Sequence, residues 1–405
     1  MSAAHPIADA WVSTGGTGAQ NYDEFADDAE ITEVIAANPM SALAIEMPHL
    51  APQSVGASFI QSMPDARERL LAAQGRGAFQ HHGDAVAVYR ITGADGSSSV
   101  GLFAMVDTSE ISNRHDEPGR VIRNEDVFAA KVAERVALIE AIGHLLSAVL
   151  LIQTQHGDAF EEELLAVCAE LGASATRDVD AVGRQHEVWV VTDPHRAARL
   201  CELAGTGDLV VADGNHRSLA AQQAGLDRFL AVVTTERSLS LDPYHRLISE
   251  WPGHLAPIDE ALRSAGLTLE PITGPVHTPA RSGVVHLYAG GQGYAVTWGA
   301  IAQRAAQGSA DVVDAMDHAL LERILIRDVL QWDPADPRIT YVGGDYPASW
   351  LLRKVDEGAA DVAVLIAPVT VEDFVAVNVD RSAMPRKSTW FTPKARAGLV
   401  TAALQ

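Results

Sequence analysis

Lysine is nearly missing from this sequence. Among 405 residues only Lys131, Lys354, Lys387 and Lys394 carry it. Acidic residues outnumber Lys plus Arg by 53 to 30, for a formal net charge of −23. Such a surface repels nucleic acid and anionic membranes unless a basic patch is concentrated somewhere. No basic helix is present, which argues against DNA binding. Cysteine is also scarce. Cys168 and Cys201 stand alone, with no C-x-x-C pair, so neither a disulfide framework nor a zinc site is read. Both lie in apolar helical surroundings, read as small core residues in a reducing cytoplasm. Long apolar runs are absent: Leu145–Ile152 falls far short of the ~20 residues a membrane helix needs. Residues 1–10 lack a basic start followed by an apolar run, so no signal peptide is read and a soluble, cytoplasmic protein is expected. The nucleotide fingerprints G-x-x-x-x-G-K and G-x-G-x-x-G are missing, and no repeat of fixed period is found.

What is present is ordinary globular composition, 47% hydrophobic and 20% charged. A single core rarely exceeds roughly 250–300 residues, so two or three domains are expected. Residues 1–118 read as an α+β domain, with a helix at 31–37 and strands at 42–47, 85–91 and 100–106. Residues 119–247 alternate between strand and helix. A helix is expected over 127–147, with Val132, Val136, Ile139, Ile142, Leu145 and Leu146 on one face. Strands at 149–153, 187–191 and 208–212 then interleave with helices at 160–171, 196–204 and 218–224. Residues 248–405 read as a second α+β domain, with a hairpin of 284–288 and 294–298, helices at 313–330 and 347–357, and a strand at 362–366. The fold class is α/β in the mixed α+β sense.

Chemistry is expected at Ala212-Asp213-Gly214-Asn215-His216-Arg217. A strand-to-helix turn directs free backbone N–H groups and the positive end of a helix dipole at one point, an arrangement suited to phosphate. Gly214 allows close backbone approach. Arg217 can contact phosphate oxygens in bidentate fashion, His216 can donate a hydrogen bond, and Asp213 can hold a divalent metal such as Mg²⁺. The plainer reading is a common Asp-Gly turn followed by a capped helix.

Two of the four lysines fall in Met384-Pro385-Arg386-Lys387-Ser388-Thr389-Trp390-Phe391-Thr392-Pro393-Lys394. On so acidic a chain this is a local positive patch. It reads either as a solvated loop or as an anion-binding segment that converges on the turn through Lys387, Ser388, Thr389 and Lys394. Arg123-Asn124-Glu125-Asp126 precedes the long helix. Its acids suit a helix N-terminus, or one of them faces the site as a base.

These segments, in this order, resemble a domain-of-unknown-function family, number ten-fifteen, similar to the ParB/sulfiredoxin-like free-serine kinases. Its A-D-G-H-H-R pattern corresponds to Ala212–Arg217, and its M-P-x-K-S-T-x-F-x-P-K to Met384–Lys394. Gln20-Asn21-Tyr22-Asp23-Glu24 stands where P-P-Y-D-V is usual, and Ala44-Ile45-Glu46-Met47-Pro48 looks like R-L-E-L-P. Asp242-Pro243-Tyr244-His245-Arg246 is similar to P-T-H-R. Two histidines of the pattern are replaced, one by Asn215 and the other, in P-H-E, by Asn124.

The resemblance implies a ParB/sulfiredoxin-like central domain over 119–247. It further implies Glu125 as general base, with Asp213, Gly214, Asn215, His216 and Arg217 holding nucleotide and metal. Tyr22, Asp23, His245 and Arg246 become candidates for substrate contact. Sulfiredoxin's related turn carries a nucleophilic Cys where this chain has Asn215, which excludes thiol chemistry there. The expected function is a nucleotide-dependent kinase, using ATP, ADP or CTP with Mg²⁺, that phosphorylates a small hydroxylated metabolite such as free serine. The alternatives are a non-catalytic nucleotide-binding regulator and a phosphohydrolase. Nothing in the sequence sets the oligomeric state.

Overall fold

The computed structural model describes residues 2–404 apart from 26, 55, 113–116, 118, 125–126, 252–259, 261, 265, 300, 302–311, 371–372, 375–376, 379–380, 383 and 386. The chain divides into two compact units, Met1–Ser240 with Pro393–Gln405, and Leu241–Thr392. The fold is mixed α+β.

In chain order the first unit contains β1 (Ala4–His5), β2 (Ile7–Ser13), α1 (Asp28–Ala37), α2 (Leu43–Glu46), α3 (Met63–Gly75), β3 (Phe79–Thr92) and β4 (Ser98–Asp107). There follow β5 (Ile111–Ser112), β6 (Val121–Ile122), α4 (Ala129–Ile142), β7 (His144–Leu145), β8 (Val149–Gln153) and α5 (Gly157–Leu171). The unit continues through β9 (Thr176–Val179), β10 (Gln185–Val191), α6 (Pro194–Gly205), β11 (Leu209–Asp213), α7 (Asn215–Gln223) and β12 (Arg228–Thr235). A last strand, Val400–Ala403, returns to pair with β2 and β7.

The sheet runs β5-β6-β11-β8-β12-β4-β3-β2 and on to the last strand and β7, with β10 on the second half of β3. Strands from before residue 118 and after it therefore lie side by side, β4 directly against β12. β8 is buried along its whole length, which is why it reads as a continuous apolar run rather than an alternation. It pairs parallel with β12 and antiparallel with β11, and the β11 register shifts between Val211 and Asp213. A bulge of this kind re-aims the side chains that follow it, and here it comes directly before the turn. One core gathers the sheet with α5 and α6, and includes Cys168 and Cys201. Burial pushes both thiols up, to about 11 and about 12. A second core joins α1–α3 to α4.

Two expected elements differ. Within residues 42–47, expected as a strand, Leu43–Glu46 form α2. The run is too short for its period to decide, and Leu, Ala, Glu and Met favour helix. The long helix stops at Ile142 rather than at 147, because Gly143 takes the left-handed conformation (φ 65°) that ends helices. Leu145 then belongs to β7.

In the second unit an antiparallel sheet has the order Thr268–Pro271, Gln292–Thr297, Val284–Ala289, Val362–Ile366, His245–Ile248 and Ile339–Val342. The expected helix at 313–330 is divided into a 3-10 turn (Val312–Ala315), an α-helical turn (Asp317–Leu320) and a π-helical stretch (Leu321–Val329). Among the described residues no helix is long and apolar enough to cross a membrane.

Candidate functional site

β11 delivers Asp213 to the end of the sheet, Gly214 turns the chain, and α7 begins at Asn215. Gly214 has φ 98°, a conformation costly for any side chain. A Cβ there would lie 3.1 Å from Arg217 Nε and 3.2 Å from the Val149 backbone. The glycine is thus demanded twice, by conformation and by the side chain of Arg217 folding back over its own helix start.

Arg217 is buried, and both its terminal nitrogens are bonded. It pairs with Asp213 and donates to the Ala148 carbonyl and, at 3.3 Å, to Asn21 Oδ1. Burial opposes its charge, yet Asp213 foremost, then Asp23, Tyr22 and Glu46, push its pKa up. The other oxygen of Asp213 accepts from Lys394 Nζ at 2.9 Å. One carboxylate therefore holds two cations at the N-terminus of α7.

His216 Nε2 accepts from the Phe128 N–H at 3.0 Å, and the two rings stack with centroids 5.9 Å apart. Asn215 Nδ2 donates to Asn124 Oδ1 at 2.7 Å. The two positions where the sequence departs from the histidine pattern thus touch each other. Both hydrogen bonds tie the start of α4 to the start of α7, and the two helices pack together. Glu125 and Asp126, between these anchors in sequence, lie outside the described residues, as does Arg386.

Tyr22 and Asp23 are close enough to Arg217 to raise its pKa. Beside them the sequence reading passed over three buried charged groups. Glu24 Oε1 accepts from the Asn21 N–H at 2.8 Å and from Asn21 Nδ2 at 3.0 Å. Burial pushes Glu24 up to about 7; Lys394 and the Asn21 N–H oppose this, while Asp213 and Asp23 add to it. Glu46 is raised by burial, against the pull of Arg135 and its hydrogen bond with Ser147. Arg135 lies under the Tyr22 ring at 4.2 Å, and burial raises the Tyr22 hydroxyl to about 12. Arg135 could have been found from its spacing. With Val132, Ile139 and Ile142 it occupies the buried stripe of α4, where a charge is out of place without a task.

The remaining candidates belong to the second unit. His245 is buried. Its Nδ1 accepts from the Ile366 N–H at 3.2 Å, so in the neutral ring Nε2 carries the proton toward Thr278 Oγ1 at 3.3 Å. Burial, then Arg246, lowers its pKa to about 3. Arg246 donates to the carbonyls of Tyr244, His245 and Lys387, each at 3.1 Å. Lys387 Nζ lies over the Tyr244 ring at 5.4 Å, Ser388 is buried and Thr389 half-buried.

Asp213 does not suit a metal in this arrangement, because both its oxygens are held by cations. Among the described residues no group of three or more His, Cys, Asp or Glu is gathered as a metal would need.

A search of curated proteins returns no match. Among solved structures the chain is similar to a free serine kinase in complex with AMP, at 12% identity and TM-score 0.39, over 72% of this chain and 87% of that one. It is also similar to a conserved hypothetical protein from Pyrococcus furiosus, at 11% identity and TM-score 0.40, over 73% and 95%. A third is SbnI with a C-terminal truncation from Staphylococcus aureus, at 12% identity and TM-score 0.40, over 72% and 84%. The family described as protein of unknown function (DUF1015) matches residues 17–319, most of the sequence, and the chain belongs to that family.

Proposed function

We propose that the first unit binds the phosphates of ATP or ADP at Asp213–Arg217 with Lys394, and passes a phosphoryl group to the hydroxyl of a small metabolite such as free serine. One observation supports this most: two cations, the buried Arg217 and the half-buried Lys394, meet on the single carboxylate of Asp213 at a helix start. Both cations sit beside the start of α7, where the helix dipole is positive. In a chain of net charge −23 such a concentration serves an anion.

Phosphoryl transfer needs positioning, charge neutralisation and a group to take the hydroxyl proton. The α7 N–H groups and Lys394 supply the first two, with Arg217 holding Asp213 and the turn in place. The acceptor oxygen forms a bond to the terminal phosphorus as the bond to the departing nucleotide breaks, and its proton passes to a carboxylate. Glu125 is the proposed base; its sequence neighbours Asn124 and Phe128 are both bonded to the turn.

Nucleotide binding without turnover is the second reading. It is favoured by the Asn215–Asn124 pair, two amides that cannot exchange a proton as histidines can. Transfer of labelled phosphate from ATP, ADP or CTP to a panel of hydroxyl amino acids separates the two readings. Labelled product supports the kinase; nucleotide binding with no labelled product supports the second reading.

A further inference from the structure

We propose that the cavity lined by Arg135, Glu46 and Arg217 binds a small carboxylate of two carbons with a hydrogen-bond donor next to its carboxyl group. The cavity measures about 40 Å³. One water needs roughly 10–15 Å³, so the space admits about three water-sized groups and excludes a nucleotide. Leu138, Ile142, Leu146 and Phe229 form its apolar wall.

The polar end is built and incompletely satisfied. Arg135 is 4% exposed and Glu46 is 3% exposed. The Arg135 guanidinium lies between the rings of Tyr22 and Phe59, at 4.2 and 4.8 Å. Its hydrogen bonds among the described residues are a long one to the Glu46 carbonyl at 3.4 Å and one to Met47 Sδ at 3.8 Å. Arg135 Nε and Glu46 Oε2 have no hydrogen-bond partner among the described residues. Glu46 Oε1 is taken by Ser147.

A buried guanidinium offering a free N–H calls for an anion, and a buried carboxyl oxygen with an open lone pair calls for a donor. A single molecule answers both, with its carboxylate on Arg135 Nε, an adjacent hydroxyl or amino group on Glu46 Oε2, and its carbon body on the apolar wall. Arg217 lines the same cavity and also holds Asp213, so such a ligand lies next to the phosphate turn, and one that carries a hydroxyl is placed as its acceptor. That last assignment alone rests on the proposed function.

The test is calorimetric titration, without nucleotide, of glycolate, glycine, acetate and ethylene glycol. Glycolate or glycine should bind, and the stronger of the two identifies the donor. Acetate should bind about tenfold more weakly for want of the donor, and ethylene glycol not at all. Arg135→Lys should weaken every acid about tenfold or more. Glu46→Gln should reduce the binding of glycolate or glycine and spare acetate. Ala221→Val fills the cavity without touching a charge and should abolish binding, which decides the matter if Arg135→Lys fails to fold. No heat from any acid at roughly 10 mM would show that water alone fills the cavity and would overturn the proposal. Equal affinities in wild type, Arg135→Lys and Ala221→Val would do the same. Glycolate binding without phosphoryl transfer would count against the proposed function and leave this site standing.

Discussion

Glu24 offers a direct reading of the electrostatics beside the turn. It is 6% exposed and its carboxyl is pushed from the ordinary 4.5 to about 7, chiefly by burial. The folded state then holds the proton more tightly than the unfolded chain. The protonated form's advantage is complete below 4.5 and lost as pH rises through about 7. The gap between 4.5 and about 7, at about 1.36 kcal/mol per pH unit, amounts to roughly 3 kcal/mol. Glu24→Gln keeps Oε1 as acceptor for the Asn21 backbone and amide N–H groups but has nothing to titrate. Its stability relative to wild type should therefore improve by about 3 kcal/mol between pH 4.5 and pH 8. Urea unfolding of both chains across that range measures this. Other titrating groups, such as Asp317 at about 6 and His186 at about 4, cancel in the difference. A stability difference that stays flat with pH would refute the reasoning.

Three further outcomes are expected. Glu125→Gln should leave nucleotide affinity nearly intact and reduce phosphoryl transfer by roughly 10²–10⁴-fold, read with labelled nucleotide; a stability loss alone would make Glu125 a helix-end charge. Gly214→Ala should destabilise the fold by about 1–3 kcal/mol in thermal melts, since φ is 98° and the new Cβ meets Arg217 and Val149; unchanged stability would mean the turn relaxes freely. Lys394→Ala removes one of the two cations on Asp213 and should weaken nucleotide binding about tenfold and flatten its salt dependence; binding equal to wild type would remove Lys394 from the site.

Much of the first unit was legible because its elements carry strong local signals. β8 occupies residues 149–153 as expected, and the turn at 212–217 joins strand to helix as expected. Lys394 stood out through the rarity of lysine, and it reaches Asp213. The site's other members depend on tertiary contacts. Asn124 and Asn215 are 91 positions apart, and only folding shows that the two replaced histidines form one pair. Glu24 follows another acid, and nothing local marks it as buried; it is held by Asn21, whose amide also donates to the Ala395 carbonyl far along the chain. Glu46 was hidden by the misread strand at 42–47, since an alternating pattern would place it on a face rather than inside a helical core.

In the proposed function the Asp213–Arg217 turn holds nucleotide phosphates. Titration of ATP, ADP and CTP into wild type and Arg217→Ala by calorimetry, with circular dichroism to confirm that both chains are folded, addresses it most directly. A nucleotide should bind wild type and lose about tenfold or more in affinity in Arg217→Ala. Equal affinity of the two chains for every nucleotide that binds would contradict the claim.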